Sequence, residues 1–298
     1  MVQNNWSGLD SLPELDDDQY EQWKKLLEAR TGMMLPNERR SFLATSLGLR
    51  MREIGFNDYQ TYYSFIESGA QGEIEWSTLV DRLTVHETRF YRHPTSITLL
   101  RENFMPGWLE LNEPPYSLHL WSVGCSTGEE PYTLAMVMDD ILKNTGKEYY
   151  LGVTASDISM ASLSTGRKAV YHRRKLTELE SHLFDNYFDK VDSQRYQVAE
   201  SIRRRVCFAH LNVLDMKRAP IGEMDIIFCQ NMLIYFDRDA RITILTNLIK
   251  HLRPGGILIL GAGEILGWSP PNMERIVFNE TLAFRRLPND DMDATIDD

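Results

Sequence analysis

Beyond residue 116 the chain alternates. Four apolar runs, 118–123, 149–155, 224–229 and 256–261, are each followed by helix-compatible sequence. Strands this apolar have no wet face, and helix-length segments between them cover both sides of the sheet they form. The fold class expected is α/β, a parallel sheet wrapped by helices. Residues 16–72 follow another rule. Tyr20, Trp23, Leu26 and Leu27 recur near a 3.6-residue period, as do Phe42, Leu43, Leu47, Met51 and Ile54, with Gly32, Pro36 and Gly55 as punctuation. A small all-helical N-terminal domain is expected there, with Asn57 or Asp58 capping a helix over 59–66. Between 185 and 208, Tyr187, Phe188, Tyr196, Val198 and Val206 stand among turn residues such as Asp192 and Ser193, which reads as a small antiparallel β insertion.

At 298 residues, 43% hydrophobic and 25% charged, the chain has enough apolar material for a large core, which excludes disordered and fibrous classes. The formal net charge of −11 speaks against a nucleic-acid partner, since phosphates need a positive field. Ten of the acids lie in residues 1–20 and 288–298; setting them aside leaves 33 acids against 32 bases. The body is nearly neutral between two acidic tails. Cys125, Cys207 and Cys229 have no paired short spacing, so neither a disulfide framework nor a metal site is expected. No basic n-region with an apolar h-region opens the chain, and no apolar run approaches the roughly 18–20 residues of a membrane span. A cytoplasmic monomer without membrane insertion is expected.

The run from Leu118 to Tyr132 is a strand entering a turn with Gly124 and Gly128 and then a helix. Glycines let backbone approach a ligand, and a helix start offers free amides. The pattern is neither the dinucleotide glycine fingerprint nor a phosphate loop. Glu129 and Glu130 at the helix start repel a pyrophosphate but suit a ligand with an ammonium and no phosphate, such as S-adenosylmethionine; acids in a first helical turn also serve the helix dipole alone. Asp157 ends the next apolar run, where a carboxylate can accept from two ribose hydroxyls or merely shape a turn. The strand ending in Asn231 supplies a third wall, with Met232 and Ile234 placed to sandwich an adenine.

Taken together these motifs resemble the CheR-type chemotaxis receptor methyltransferases, over about residues 20–286. The matching elements are Leu83-Thr-Val-His-Glu-Thr88-Arg-Phe-Tyr-Arg92, Gly124-Cys-Ser-Thr-Gly-Glu-Glu-Pro-Tyr132, Ala155-Ser-Asp157-Ile, Leu211-Asn212, Cys229-Gln-Asn231-Met-Leu-Ile-Tyr-Phe236, and Leu252-Arg-Pro-Gly-Gly256 followed by Gly263-Glu264. The resemblance implies a Rossmann-like methyltransferase domain over 86–287, its antiparallel subdomain at 185–208, a helical domain over 16–85, and acidic tails at 1–15 and 288–298. It implies methyl transfer from S-adenosylmethionine to glutamate side chains in the cytoplasmic part of a methyl-accepting chemoreceptor, leaving S-adenosylhomocysteine. The implied cofactor contacts are His86, Thr88, Arg92, Glu129, Asp157, Asn212 with Val213, and Asn231 with Met232. The family usually has Asn at His86, Arg at Gln230 and Ser at Gly263. A regulator that binds the cofactor without turnover is the alternative these departures suggest.

A carboxylate is already ionised at neutral pH, so methyl transfer to it needs no general base and no metal. It needs in-line placement and exclusion of water. Arg92, with a guanidinium fork that fits a carboxylate, is the catalytic candidate, joined by the Tyr235 hydroxyl; Phe90 and Tyr91 are candidates to shield the methyl from water. Arg39, Arg40, Arg50 and Arg52 fall on consecutive helical turns and form either a solvated face or a basic face for an acidic receptor segment.

Overall fold

The computed structural model describes residues 14–84, 87–218 and 221–288. The chain divides into two compact units, Met1–Val85 and His86–Asp298. His86, residues 1–13 of the first acidic tail and residues 289–298 of the second lie outside the described residues.

The first unit holds helices α1 (Asp17–Thr31), α2 (Arg40–Ile54), α3 (Tyr59–Ile66) and α4 (Gly69–Leu83). Asp16 starts α1 with a capping box: its carboxylate accepts from Gln19 N at 2.7 Å, and the Gln19 side chain accepts from Asp16 N at 3.3 Å. Asp58 caps α3 in the same way, accepting from Thr61 N at 2.8 Å. The periodic residues Tyr20, Trp23, Leu26, Leu27, Leu43, Leu47 and Met51 are buried; Phe42, which shares the period, is exposed. The four arginines do not form one basic face. Arg50 forks onto the buried carboxylate of Glu75 (2.7 and 2.6 Å), which also accepts from Tyr62 Oη at 2.8 Å. Arg40 pairs with Asp17 and donates to the Leu15 carbonyl at 2.7 Å. Intramolecular acids hold these two, and Arg39 and Arg52 are the exposed ones.

The second unit opens with α5 (Pro94–Leu99), a π turn (Leu100–Phe104) and α6 (Met105–Leu111). Then come β1 (Tyr116–Val123), α7 (Glu129–Asn144), β2 (Tyr149–Asp157), α8 (Met160–Lys168), β3 (Val170–His172), α9 (Ser181–Tyr187), β4 (Phe188–Lys190), β5 (Arg195–Val198), α10 (Glu200–Arg203) and β6 (Val206–His210). It ends with β7 (Met224–Cys229), α11 (Arg238–Leu248), β8 (Leu252–Leu260), β9 (Met273–Phe278) and β10 (Thr281–Arg286). The main sheet has the order β6-β2-β1-β7-β8-β10-β9. Its first five strands are parallel, and β10 runs antiparallel to both neighbours. Every residue of β7 is buried, as a strand covered on both faces must be. The small antiparallel sheet, order β3-β5-β4, starts at Val170, earlier than the expected 185–208 segment. Val206 and Phe208, expected in that insertion, instead sit in β6, paired parallel to β2. Their alternation resembles a hairpin arm locally, but an edge strand with one neighbour alternates too. Among the described residues no helix is long and apolar enough to cross a membrane.

Candidate active site

β1 lies between β2 and β7, and the strand order reverses there. At such a switch point the loops leaving the two neighbouring strands diverge to opposite faces and open a crevice at the carboxyl edge of the sheet. Most of the residues singled out above gather at this edge: Glu129 after β1, Asp157 at the end of β2, Asn212 and Val213 after β6, and Asn231, Met232 and Tyr235 after β7.

The turn after β1 is fastened to β2. Gly124 N and Cys125 N both donate to the Ser156 carbonyl, at 2.8 and 2.9 Å. Ser126 N donates to one Asp157 oxygen at 2.7 Å, and Ser159 N to the other at 2.9 Å. Asp157 thus shapes the turn, each of its carboxylate oxygens accepting from a backbone amide. Leu211 N donates to the Asp157 carbonyl at 3.0 Å, which brings Asn212 alongside. Gly128 has φ of 96°, and a Cβ there would meet Tyr171 Oη at 2.8 Å; Gly124, at φ 72°, lies against the Met232 side chain. Met232 therefore abuts the glycine turn, whereas Ile234, its expected partner across an adenine, is half exposed.

The two glutamates opening α7 have different surroundings. Glu129 is fully buried: Thr127 Oγ1 donates to one oxygen at 2.6 Å and the Lys175 ammonium pairs with the other. Glu130 accepts from Ser122 Oγ at 2.7 Å. Burial pushes its carboxyl up to about 8, against the opposing pull of the Ser122 hydroxyl and the Arg92 charge. A half-buried acid with little hydrogen bonding is held neutral by its surroundings at pH 7.

After β7, Asn231 takes a left-handed φ of 59° and its Oδ1 lies 2.6 Å from His93 Nε2. Glu264 ties this turn to the next strand's loop, accepting from Leu233 N at 3.1 Å and Gly261 N at 2.7 Å. Burial raises its carboxyl, and the backbone amides partly offset that. Tyr235 is half-buried in the same turn. Gln230 is buried, donating to Ser96 Oγ at 3.0 Å and the Leu260 carbonyl at 2.9 Å. Its amide is absorbed into the scaffold and does not occupy the crevice wall.

The segment before α5 carries Thr88 and Arg92, both half-buried. It is pinned to α7 through Tyr91 N, which donates to Thr133 Oγ1 at 3.2 Å, and Arg92 Nη1 donates to the Glu87 carbonyl at 2.6 Å. Phe90 and Tyr91 do not shield a methyl. Phe90 is fully buried, edge-on to Tyr171 (4.9 Å) and Phe188 (5.4 Å), and the Tyr91 hydroxyl donates to Glu180. Both rings anchor the small sheet and its flanking segment. Sequence reasoning passed over His93, Lys175 and the role of Glu264. His93 directly follows Arg92, and Lys175 ends a basic run, but neither spacing points to its partner.

This donor and acceptor set suits a phosphate-free nucleoside bearing an ammonium. Asp157 and Glu129 can accept, and the Ser126 hydroxyl is buried in the turn with no partner among the described residues. Comparison with known proteins agrees with that chemistry. Residues 18–84 match the family described as CheR methyltransferase, all-alpha domain, and residues 86–282 match CheR methyltransferase, SAM binding domain. The chain is 30% identical over 253 residues to a chemotaxis protein methyltransferase of Escherichia coli, covering 84% of this chain and 85% of that one. It is 29% identical over 269 residues to chemotaxis protein methyltransferase 1 of Pseudomonas aeruginosa, covering 89% and 97%. A chemotaxis protein methyltransferase of Borreliella burgdorferi is 28% identical over 244 residues, covering 81% and 86%. The chain belongs to the CheR methyltransferase family and is an S-adenosylmethionine-dependent methyltransferase.

Proposed function

We propose that the chain methylates glutamate side chains in the cytoplasmic part of a methyl-accepting chemoreceptor, in flagellar or pilus-type chemosensory adaptation, as a cytoplasmic monomer. The observation that carries this reading is the convergence of the family's motif residues on one sheet edge, with Arg92 within electrostatic reach of Glu130. When bound, S-adenosylmethionine supplies an electrophilic methyl whose bond to sulfur breaks as a carboxylate oxygen bonds to carbon, so no proton moves. The side chains have three tasks. Asp157, with Asn212 and Val213, holds the ribose side, and Glu129 holds the ammonium. Asn231, Met232 and Thr88 wall the nucleoside. Arg92 orients the incoming carboxylate, and Tyr235 lines the same spot. His86 belongs to the contacts implied by the family motif.

Incubation with tritiated S-adenosylmethionine and receptor cytoplasmic fragments tests the reading. Label should stay with the receptor and leave as methanol on mild base treatment. Cofactor binding without transfer to any receptor would instead make the chain a regulator, and label in a product that passes a filter would make it a small-molecule methyltransferase.

A further inference from the structure

The turn that ends β7 and the start of α5 are joined by two side-chain bonds from adjacent residues: Asn231 to His93 and Gln230 to Ser96. Asn231 has a backbone conformation that few residues tolerate, and nothing in that conformation fixes its amide plane. Its Oδ1 can only accept, so His93 Nε2 carries the proton and sets the plane, leaving Nδ2 with one direction in which to donate. His93 in turn is rigid. Its carbonyl accepts from Ser96 N at 3.1 Å and Ile97 N at 3.2 Å, making it the first anchor of α5. Burial and the neighbouring charges of Arg92 and Arg89 lower the ring's pKa below the usual histidine range, against the Asn231 bond, which raises it. Protonation would leave the Nε2 donor in place, so the bond persists in both states.

We propose that His93 is a positioning residue that orients the Asn231 amide toward the cofactor and fixes Arg92 against the β7 turn. The idea rests on the assignment of Asn231 and Arg92 to the site made above. Arg92 stands between two pins, the Tyr91 N bond to Thr133 on one side and the His93 bond to Asn231 on the other. Losing the second pin frees both the amide plane and the chain that carries the guanidinium. Each is held by hydrogen bonds, so a change of about tenfold in kcat/KM for the cofactor is the scale expected.

The test is a set of variants assayed for S-adenosylhomocysteine affinity by calorimetry and for kcat and KM in receptor-fragment methylation, with thermal melting to show each is folded. His93→Ala should weaken product affinity and lower kcat/KM about tenfold. His93→Gln, whose Nε2 reaches about as far as the imidazole Nε2, should recover most of it, and His93→Asn, which is shorter, should not. In an Asn231→Ala background His93→Ala should add little. Wild-type kinetics for His93→Ala, equal behaviour of the Gln and Asn variants, or full additivity with Asn231→Ala would overturn the proposal while leaving the site assignment intact. Unchanged affinity and turnover in Asn231→Ala itself would remove the assignment of Asn231 and the proposal with it.

Discussion

Glu129 has no surface open to solvent, and Lys175 pairs with one of its two oxygens. A ligand ammonium binding at Glu129 therefore competes with the lysine for that carboxylate. Lys175→Met leaves a buried carboxylate with only Thr127 for a partner, which is costly because desolvation is no longer offset by an opposite charge. The variant should melt lower than wild type without ligand. It should gain more from saturating S-adenosylmethionine, because the ligand then supplies the missing cation without competition. A thermal-shift comparison measures both, and a smaller ligand-induced gain in Lys175→Met would show that the lysine assists binding. Glu130 makes a second prediction at this scale. Its carboxyl lies near 8 in the folded chain against 4.5 when solvated, so as pH rises from 4.5 the unfolded chain loses this proton first. The folded state is then progressively disfavoured, and the contribution is fully lost above about 8. Glu130→Gln should flatten the fall of urea-unfolding stability between pH 5 and pH 8; an unchanged slope would place the titration elsewhere.

At the level of elements, Glu264 is the tie between the loops after β7 and β8, two backbone amides converging on one carboxylate. Glu264→Ala strands both donors in a buried turn, an expected loss of about 2–4 kcal/mol in urea unfolding. Cofactor affinity should fall with it, since the β7 turn loses its support, while Glu264→Gln, which keeps one acceptor oxygen, should fall between. The carboxyl-edge location of the motif residues was legible because strand ends and glycine turns are written locally, in residues such as Gly124, Asp157 and Asn231. The two-residue hairpin joining β9 to β10 was not read, although Asn279, at φ 46°, marks its turn. β9 has an exposed face, with Val277 largely open to solvent, so no apolar run announces it. The small sheet begins earlier than the local pattern announces because β3 is three residues long and pairs with a strand more than twenty residues on. Such a pairing leaves no periodicity in either segment. For the same reason the partners of His93, at Asn231, and of Lys175, at Glu129, are tertiary facts that spacing does not encode.

For the molecule as a whole, charge decides how an acidic protein meets an acidic receptor segment. The acids of residues 1–20 and 288–298 give long-range repulsion, and any attraction must come from exposed cations on a nearly neutral body. Among the described residues of the helical unit the exposed cations are Lys25, Arg39 and Arg52, whereas Arg40 and Arg50 are held by Asp17 and Glu75. Two kinds of arginine variant should then separate. Arg50→Ala breaks the Glu75 network, leaves that carboxylate buried, and should lower the melting temperature. Arg39→Glu should leave melting and S-adenosylhomocysteine affinity near wild type. It should raise KM for a receptor cytoplasmic fragment several-fold at low salt, by replacing attraction with repulsion at the encounter. The difference from wild type should shrink as ionic strength passes about 0.15 M, where the screening length falls to about 8 Å. Steady-state methylation across a salt series reads this directly, and a KM defect independent of salt would mean that Arg39 contributes packing or a specific contact in place of a field.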